Sequence, residues 1–141
     1  MHTKNKSIIF FTLMLFLCAC GKNKTAWLLE NKHWKVYNVT PPATGTFDID
    51  AANEAEELKN GFYKNAQFEF VSNGIYRTTF GGKIDSGKFK INYDGKIISL
   101  YPLHGNKMYE QIQLQKLTDN EMNFNTLIAD FYMTLNLKSS P

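Results

Sequence analysis

The chain has 141 residues, with 16 Lys and Arg against 13 Asp and Glu, a formal net charge of +3 and 43% hydrophobic residues. The basic residues are scattered instead of forming the stripe needed to neutralise nucleic-acid phosphates, so nucleic acid is excluded as a partner. The length suffices for one ordinary hydrophobic core and not for two.

The first segment has the anatomy of an export signal. Lys4 and Lys6 form a positive start, residues 7–17 are almost wholly apolar, and Leu17-Cys18-Ala19-Cys20 resembles the box cut by the lipoprotein signal peptidase. Cleavage would fall before Cys20, where Ala19 is the small residue required. A cut before Cys18 would put bulky Leu17 in that place. As an uncleaved anchor the apolar run is too short, about half of the ~20 residues that cross a hydrocarbon core. Residues 1–19 are therefore expected to be a signal peptide, with Cys20 the lipid attachment site carrying acyl chains into a membrane. Removal of residues 1–19 takes away two lysines and no acid, which lowers the charge to about +1. It also removes Cys18, and lipid consumes Cys20. No thiol then remains for a disulfide, a zinc site or a nucleophile. Residues 20–26 are small and polar and suit a lipidated tether. It would reach only ~20 Å when extended. Lys22 and Lys24 in it are either membrane contacts or merely solvated.

From Trp27 onward the hydrophobicity alternates with period two, as in Gln67-Phe68-Glu69-Phe70 and Lys88-Phe89-Lys90-Ile91. One face of each segment is apolar and the other polar, as in half-buried antiparallel strands. Asn73-Gly74, Gly81-Gly82, Asp94-Gly95, Gly105 and Asp119-Asn120 punctuate the runs with turn chemistry. Strands are expected at 33–40, 65–71, 75–80, 87–93, 96–103, 108–117, 121–128 and 131–138. Eight sequential antiparallel strands are most simply closed into an up-and-down barrel, because closure removes both edges. The fold class is all-β, with residues 27–141 as one barrel domain.

One connection breaks the rhythm. After Pro41-Pro42 and Thr44-Gly45-Thr46, the sequence from Asp50 to Gly61 predicts a short helix, with Asp50 as N-cap and Gly61 as stop. Ala51, Ala55, Leu58 and Phe62 share one stripe. A helix this short needs docking, and the open barrel end is the expected surface, with Leu58 as the anchor of a lid.

No catalytic or metal constellation emerges. Gly82-Lys83-Ile84-Asp85-Ser86-Gly87-Lys88 imitates a phosphate-binding loop, but Phe89 replaces the magnesium-holding Ser/Thr and a strand follows, so a hairpin loop is expected there. His33 and His104 lack ligand spacing, and the acids Glu54, Glu56 and Glu57 read as a solvated helix face. The chain is expected to be no enzyme and to need no cofactor. Aromatic residues are the remaining functional signal. Phe68, Phe70, Tyr76, Phe80, Phe89, Tyr93 and Tyr109 could all aim inward; Phe70, Tyr76, Phe89, Tyr93 and Tyr109 are the candidate ligand contacts, unless they simply fill the core.

Asn31-Lys32-His33-Trp34-Lys35-Val36, Phe68-Glu69-Phe70-Val71-Ser72-Asn73-Gly74-Ile75-Tyr76, Gly87-Lys88-Phe89-Lys90-Ile91 and Leu117-Thr118-Asp119-Asn120-Glu121-Met122 together resemble the bacterial lipocalin-like domain found in many small lipoproteins of the Bacteroidetes. The resemblance covers most of residues 26–138 and implies an eight-stranded calycin-type barrel, with Trp34 packed across its closed end and the first long connection acting as a lid. Lys32 stands where eukaryotic lipocalins usually carry Gly, so none of their ligand residues transfers. Gly21 in place of the inner-membrane retention Asp favours the outer membrane. The lack of acidic residues after Cys20 favours its periplasmic face. Two functions follow as expectations: a monomeric carrier of a small apolar ligand, or a non-catalytic interaction module, with a filled barrel, that binds another envelope protein through its outer face or loops as an inhibitor or assembly accessory.

Overall fold

A computed structural model describes residues 21–42, 49–128 and 131–140. Cys18, Cys20 and the signal segment before them, and Thr44-Gly45-Thr46, lie outside the described residues. In chain order the elements are helix α1 (residues 21–29), β1 (His33–Thr40), α2 (Ile49–Asn60), β2 (Gln67–Val71), β3 (Ile75–Phe80), β4 (Lys83–Ile91), β5 (Ile97–Pro102), β6 (Glu110–Leu117), β7 (Glu121–Ile128) and β8 (Phe131–Ser140). Each strand pairs antiparallel with the next, and β1 pairs with β8 from His33↔Ser140 to Thr40↔Thr134, which closes the barrel.

Turn chemistry sets the strand ends. Phe80 pairs with Lys83 across Gly81 and Gly82, both at positive φ (54° and 80°), so the hairpin needs only two residues in a left-handed turn. β4 therefore begins at Lys83 and not at 87. The segment 83–88, expected as a hairpin loop, is ladder-paired strand. At the other end of β4 the chain leaves the sheet at Asn92, whose Oδ1 accepts hydrogen bonds from the backbone N–H groups of Lys96 and Ile97, both at 3.0 Å. That Asx turn ends the alternation after Ile91 and puts Tyr93 outside, 81% exposed. The expected inward Tyr93 is thus corrected.

Two helices serve the two ends. α2 packs against β1, whose upper half lacks β2 as a neighbour because β1 and β2 pair only from His33↔Glu69 to Lys35↔Gln67. Ala51 and Ala55 are fully buried there, while Leu58 is partly buried. Asp50 lies inside the first turn of α2 and not ahead of it, where its charge favours the helix dipole. α2 ends at Asn60, directly before the expected stop Gly61, which is not left-handed: its N–H still donates to Glu57 O at 2.8 Å, and Asn65 adopts positive φ (64°) before β2.

Residues 21–26, expected as a tether, are helical. α1 buries Leu28 and Leu29 in the closed end and leaves Trp27 outside. Thr25 Oγ1 donates to Gly95 O at 2.9 Å, and Asn31 N–H donates to Phe70 O at 2.8 Å. The polar run folds because its apolar tail has a place to dock. Trp34 is wholly buried beside it, its indole N–H donating to Leu29 O at 2.9 Å. Lys32 Nζ sits 5.7 Å from the Trp34 ring and 3.1 Å from Asp119 Oδ1, so it ties the β6–β7 turn over the same end.

Trp34 thus joins α1, β1 and the closed-end core. Trp34→Ala is expected to cost about 3–5 kcal/mol, because it leaves a large cavity and an unpaired Leu29 carbonyl. Urea unfolding checks this; a loss below about 1 kcal/mol would mean that the closed end collapses around the gap.

Candidate functional site

Inward positions follow from register, since directly paired residues share a face of the sheet. In the closed half these positions hold Trp34, Phe70, Phe89, Ile98, Met122 and Leu137, all buried, with Phe70 and Phe89 edge to face at 5.2 Å. Toward the open end the inward residues become smaller and more polar. Thr78 pairs with Asp85, Tyr76 with Gly87, and Leu100 with Glu110. The result is a cavity of about 220 Å³ in the upper barrel, walled by Phe68, Phe80, Leu100, Ile112, Phe124 and Leu135 and furnished with Tyr63, Tyr76, Thr78, Asp85, Tyr109, Glu110 and Thr126. At ~30 Å³ per molecule of liquid water it has room for roughly seven waters.

Gly87 shapes this space. A Cβ there would stand 2.6 Å from the Tyr76 hydroxyl and 2.3 Å from Tyr101 O, so the Tyr76 ring can lie across the sheet only over a glycine. Phe68 and Phe80 meet edge to face at 5.4 Å, Phe68 and Phe124 at 5.7 Å, and Tyr63 closes on Phe80 at 5.8 Å. Tyr63 lies just beyond α2, which is how that connection reaches the cavity.

The wall is incomplete on one side. β6 and β7 pair only over Gln113↔Asn125 to Leu117↔Met122, which leaves Glu110 and Gln111 unpaired with the upper part of β7. Across this gap Thr126 Oγ1 donates to Glu110 Oε1 at 2.8 Å. An outer groove of about 680 Å³ follows the gap, with Ile97, Leu127 and Tyr132 on its sides, and it shares Tyr109, Glu110 and Thr126 with the cavity. The Glu110–Thr126 contact is therefore the partition between inside and outside.

Burial, and secondarily the Glu110 charge, pushes the Tyr63 phenol up to about 12; the same two causes raise Tyr109. Both phenols are neutral donors across the physiological range. Tyr63, Tyr76 and Thr78 are only 8%, 2% and 5% exposed as residues, and their hydroxyls, engaged by no protein group among the described residues, open onto the cavity; the fully buried side-chain oxygen without a partner among the described residues is Asn123 Oδ1. Asp85 Oδ1 accepts from the adjacent Ser86 N–H at 2.8 Å. No group of three His, Cys, Asp or Glu among the described residues is placed to hold a metal ion.

Of the expected ligand contacts, Tyr76 and Tyr109 line the cavity, Tyr109 from a half-exposed position at the rim and not from deep inside. Phe70 and Phe89 are packed core in the closed half. Tyr93 faces a shallow depression at that same end, near Glu30 and Ala26. Leu58 does not line the cavity. The residues that sequence reasoning missed are Tyr63, Thr78, Asp85, Glu110 and Thr126. Four of them were findable as polar residues at inward parity with Tyr76, Gly87, Ile112 and Phe124. No protein-family model and no curated protein matches the chain.

Because the folded state holds the Tyr63 phenol up to about 12 against an ordinary value near 10, its contribution to stability is complete below pH ~10 and is lost as pH rises toward 12. The expected loss reaches about 2–3 kcal/mol. Tyr63→Phe should flatten that alkaline decline. An unchanged slope in pH-dependent denaturation would assign the decline to other groups.

Proposed function

We propose that this protein is a lipocalin-like small-molecule carrier that holds one ligand in the upper half of its barrel. The observation that carries the reading is the partly open cavity of about 220 Å³, walled by aromatic and aliphatic side chains and supplied with the hydroxyls of Tyr63, Tyr76 and Thr78, which no protein group engages among the described residues. A barrel built only as a scaffold gains by filling its interior, because empty volume costs free energy. The lipocalin-like assignment is supported by eight strands in sequence order, a helix across the closed end and Trp34 packed at the start of β1. Binding and release require no chemical step, so the carrier is non-catalytic.

The proposed setting is the periplasmic face of the outer membrane, with lipid on Cys20, supported by the Leu17-Cys18-Ala19-Cys20 box and Gly21. α2 and Tyr63 then act as the cover, with Leu58 holding that segment to the core. A second reading, a protein-interaction module, is favoured by the groove along β6 and β7, whose Leu127 and Tyr132 are 59% and 66% exposed.

Gentle extraction of the native protein followed by intact-mass measurement tests both parts of the proposal. The mature chain should carry acyl chains that Cys20→Ala abolishes, and a non-covalent small molecule should leave on unfolding. An unacylated native chain sinks the anchor, and an empty barrel beside a co-purified protein turns the choice to the interaction module. Leu58→Asp should speed ligand exchange at a stability cost of about 1–2 kcal/mol. A loss as large as that of Trp34→Ala would make α2 integral core and no cover.

A further inference from the structure

The cavity carries more charge than a site for a purely apolar ligand needs. Register puts Glu110 and Asp85 on the inner face, opposite Leu100 and Thr78. Glu110 is held by Thr126 at 2.8 Å. No Lys, Arg or His is among the lining residues, and Lys83, paired with Phe80 at the rim, is exposed and forms no ion pair among the described residues. Glu110 is half-buried and Asp85 is exposed at the rim, and two carboxylates on the lining of one cleft without a counter-ion favour a cation there, since the cleft carries charge of one sign.

The second observation is independent of charge. The hydroxyls of Tyr63, Tyr76 and Thr78, each on a residue more than nine-tenths buried, face the same space without a partner among the described residues. They offer acceptors for ammonium N–H groups that the carboxylates leave unfilled. Phe68, Phe80 and Phe124 supply the ring faces that suit either a cation or a flat apolar body. A volume of about 220 Å³ is smaller than the ~300–1,000 Å³ of drug-sized sites, so the body is one ring or a short aliphatic chain.

Taking the carrier reading as its basis, we propose that the ligand is a small organic cation, a primary amine on a compact apolar body, with Glu110 as its counter-ion and Asp85 at the entrance. Thr126 is the positioning residue that keeps the Glu110 carboxylate turned into the barrel. An anion of the same size is repelled. A neutral alcohol can meet the hydroxyls but leaves the carboxylates unpaired.

Calorimetric titration of the full chain in detergent with phenethylamine, phenethyl alcohol and phenylacetate tests this. The amine should bind at least about tenfold tighter than the alcohol, the equivalent of one charge-assisted hydrogen bond, and phenylacetate most weakly. Glu110→Gln keeps the shape and the partner of Thr126. It should bring the amine down to the level of the alcohol without moving the thermal midpoint. Equal binding of amine and alcohol to the unaltered chain overturns the proposal without any variant, and so does a preference that survives both Glu110→Gln and Asp85→Asn. If none of the three binds while native extraction still yields a small molecule, the ligand class is wrong and the carrier stands. If nothing binds and nothing is extracted, the carrier reading itself fails.

Discussion

An eight-stranded barrel encloses an interior barely wide enough for the side chains that point into it, and this limit governs every feature of the molecule. Where the inward residues are large, as with Trp34, Phe70 and Phe89, they are buried in a packed interior, Phe70 and Phe89 meeting edge to face. Where they shrink to Thr78, Gly87 and Thr126, the same backbone leaves a chamber. The division between a solid half and a hollow half is therefore written in side-chain volume at alternate positions, without any change of architecture. α1 completes the solid half by inserting Leu29 beneath Trp34.

The packed core and the proposed binding chamber are thereby separated along the barrel axis. Large apolar groups such as Trp34, Phe70 and Phe89 fill the closed end, where each buried aromatic contributes several kcal/mol. The ion pairs Lys32–Asp119, Lys59–Glu56, Arg77–Glu69 and Lys116–Glu121 lie on the outside, where solvent screening leaves them little weight in stability. The open end is left free to carry polar groups that a core could not tolerate. Unpartnered hydroxyls and inward carboxylates are admissible there because the packed half supports the fold.

Much of this is legible in the sequence. Alternation located all eight strands, because a half-buried strand has to separate its faces residue by residue. It failed where local hydrogen bonding overrides the period. Asn92 turns the chain before Tyr93 can continue the inward row, and the Gly81-Gly82 turn allows β4 to start four residues early. α1 was hidden because its helical value lies in two leucines whose docking surface is assembled from distant strands. The cavity was hidden for a related reason. Reading only aromatics at inward positions selects the walls, whereas the chemistry lies in Thr78, Asp85, Glu110 and Thr126 on the same rows. Tyr63 could not be found by parity at all, since it belongs to no strand.

The seam between β1 and β8 has a kinetic consequence. Asn136 Nδ2 donates to Thr40 Oγ1 across 96 residues of sequence, beside a ladder that joins the first described strand to the last. Hairpins β2–β3 through β7–β8 can each form from local chain as it is synthesised. None of them shuts the interior. Until β8 arrives, the nascent sheet presents two open edges and one uncovered apolar face, the state in which β proteins associate wrongly. Folding should thus be slow and end-loaded, on the millisecond-to-second scale of non-local β topologies. The most hazardous moment for this chain comes just before its final ten-residue strand is in place.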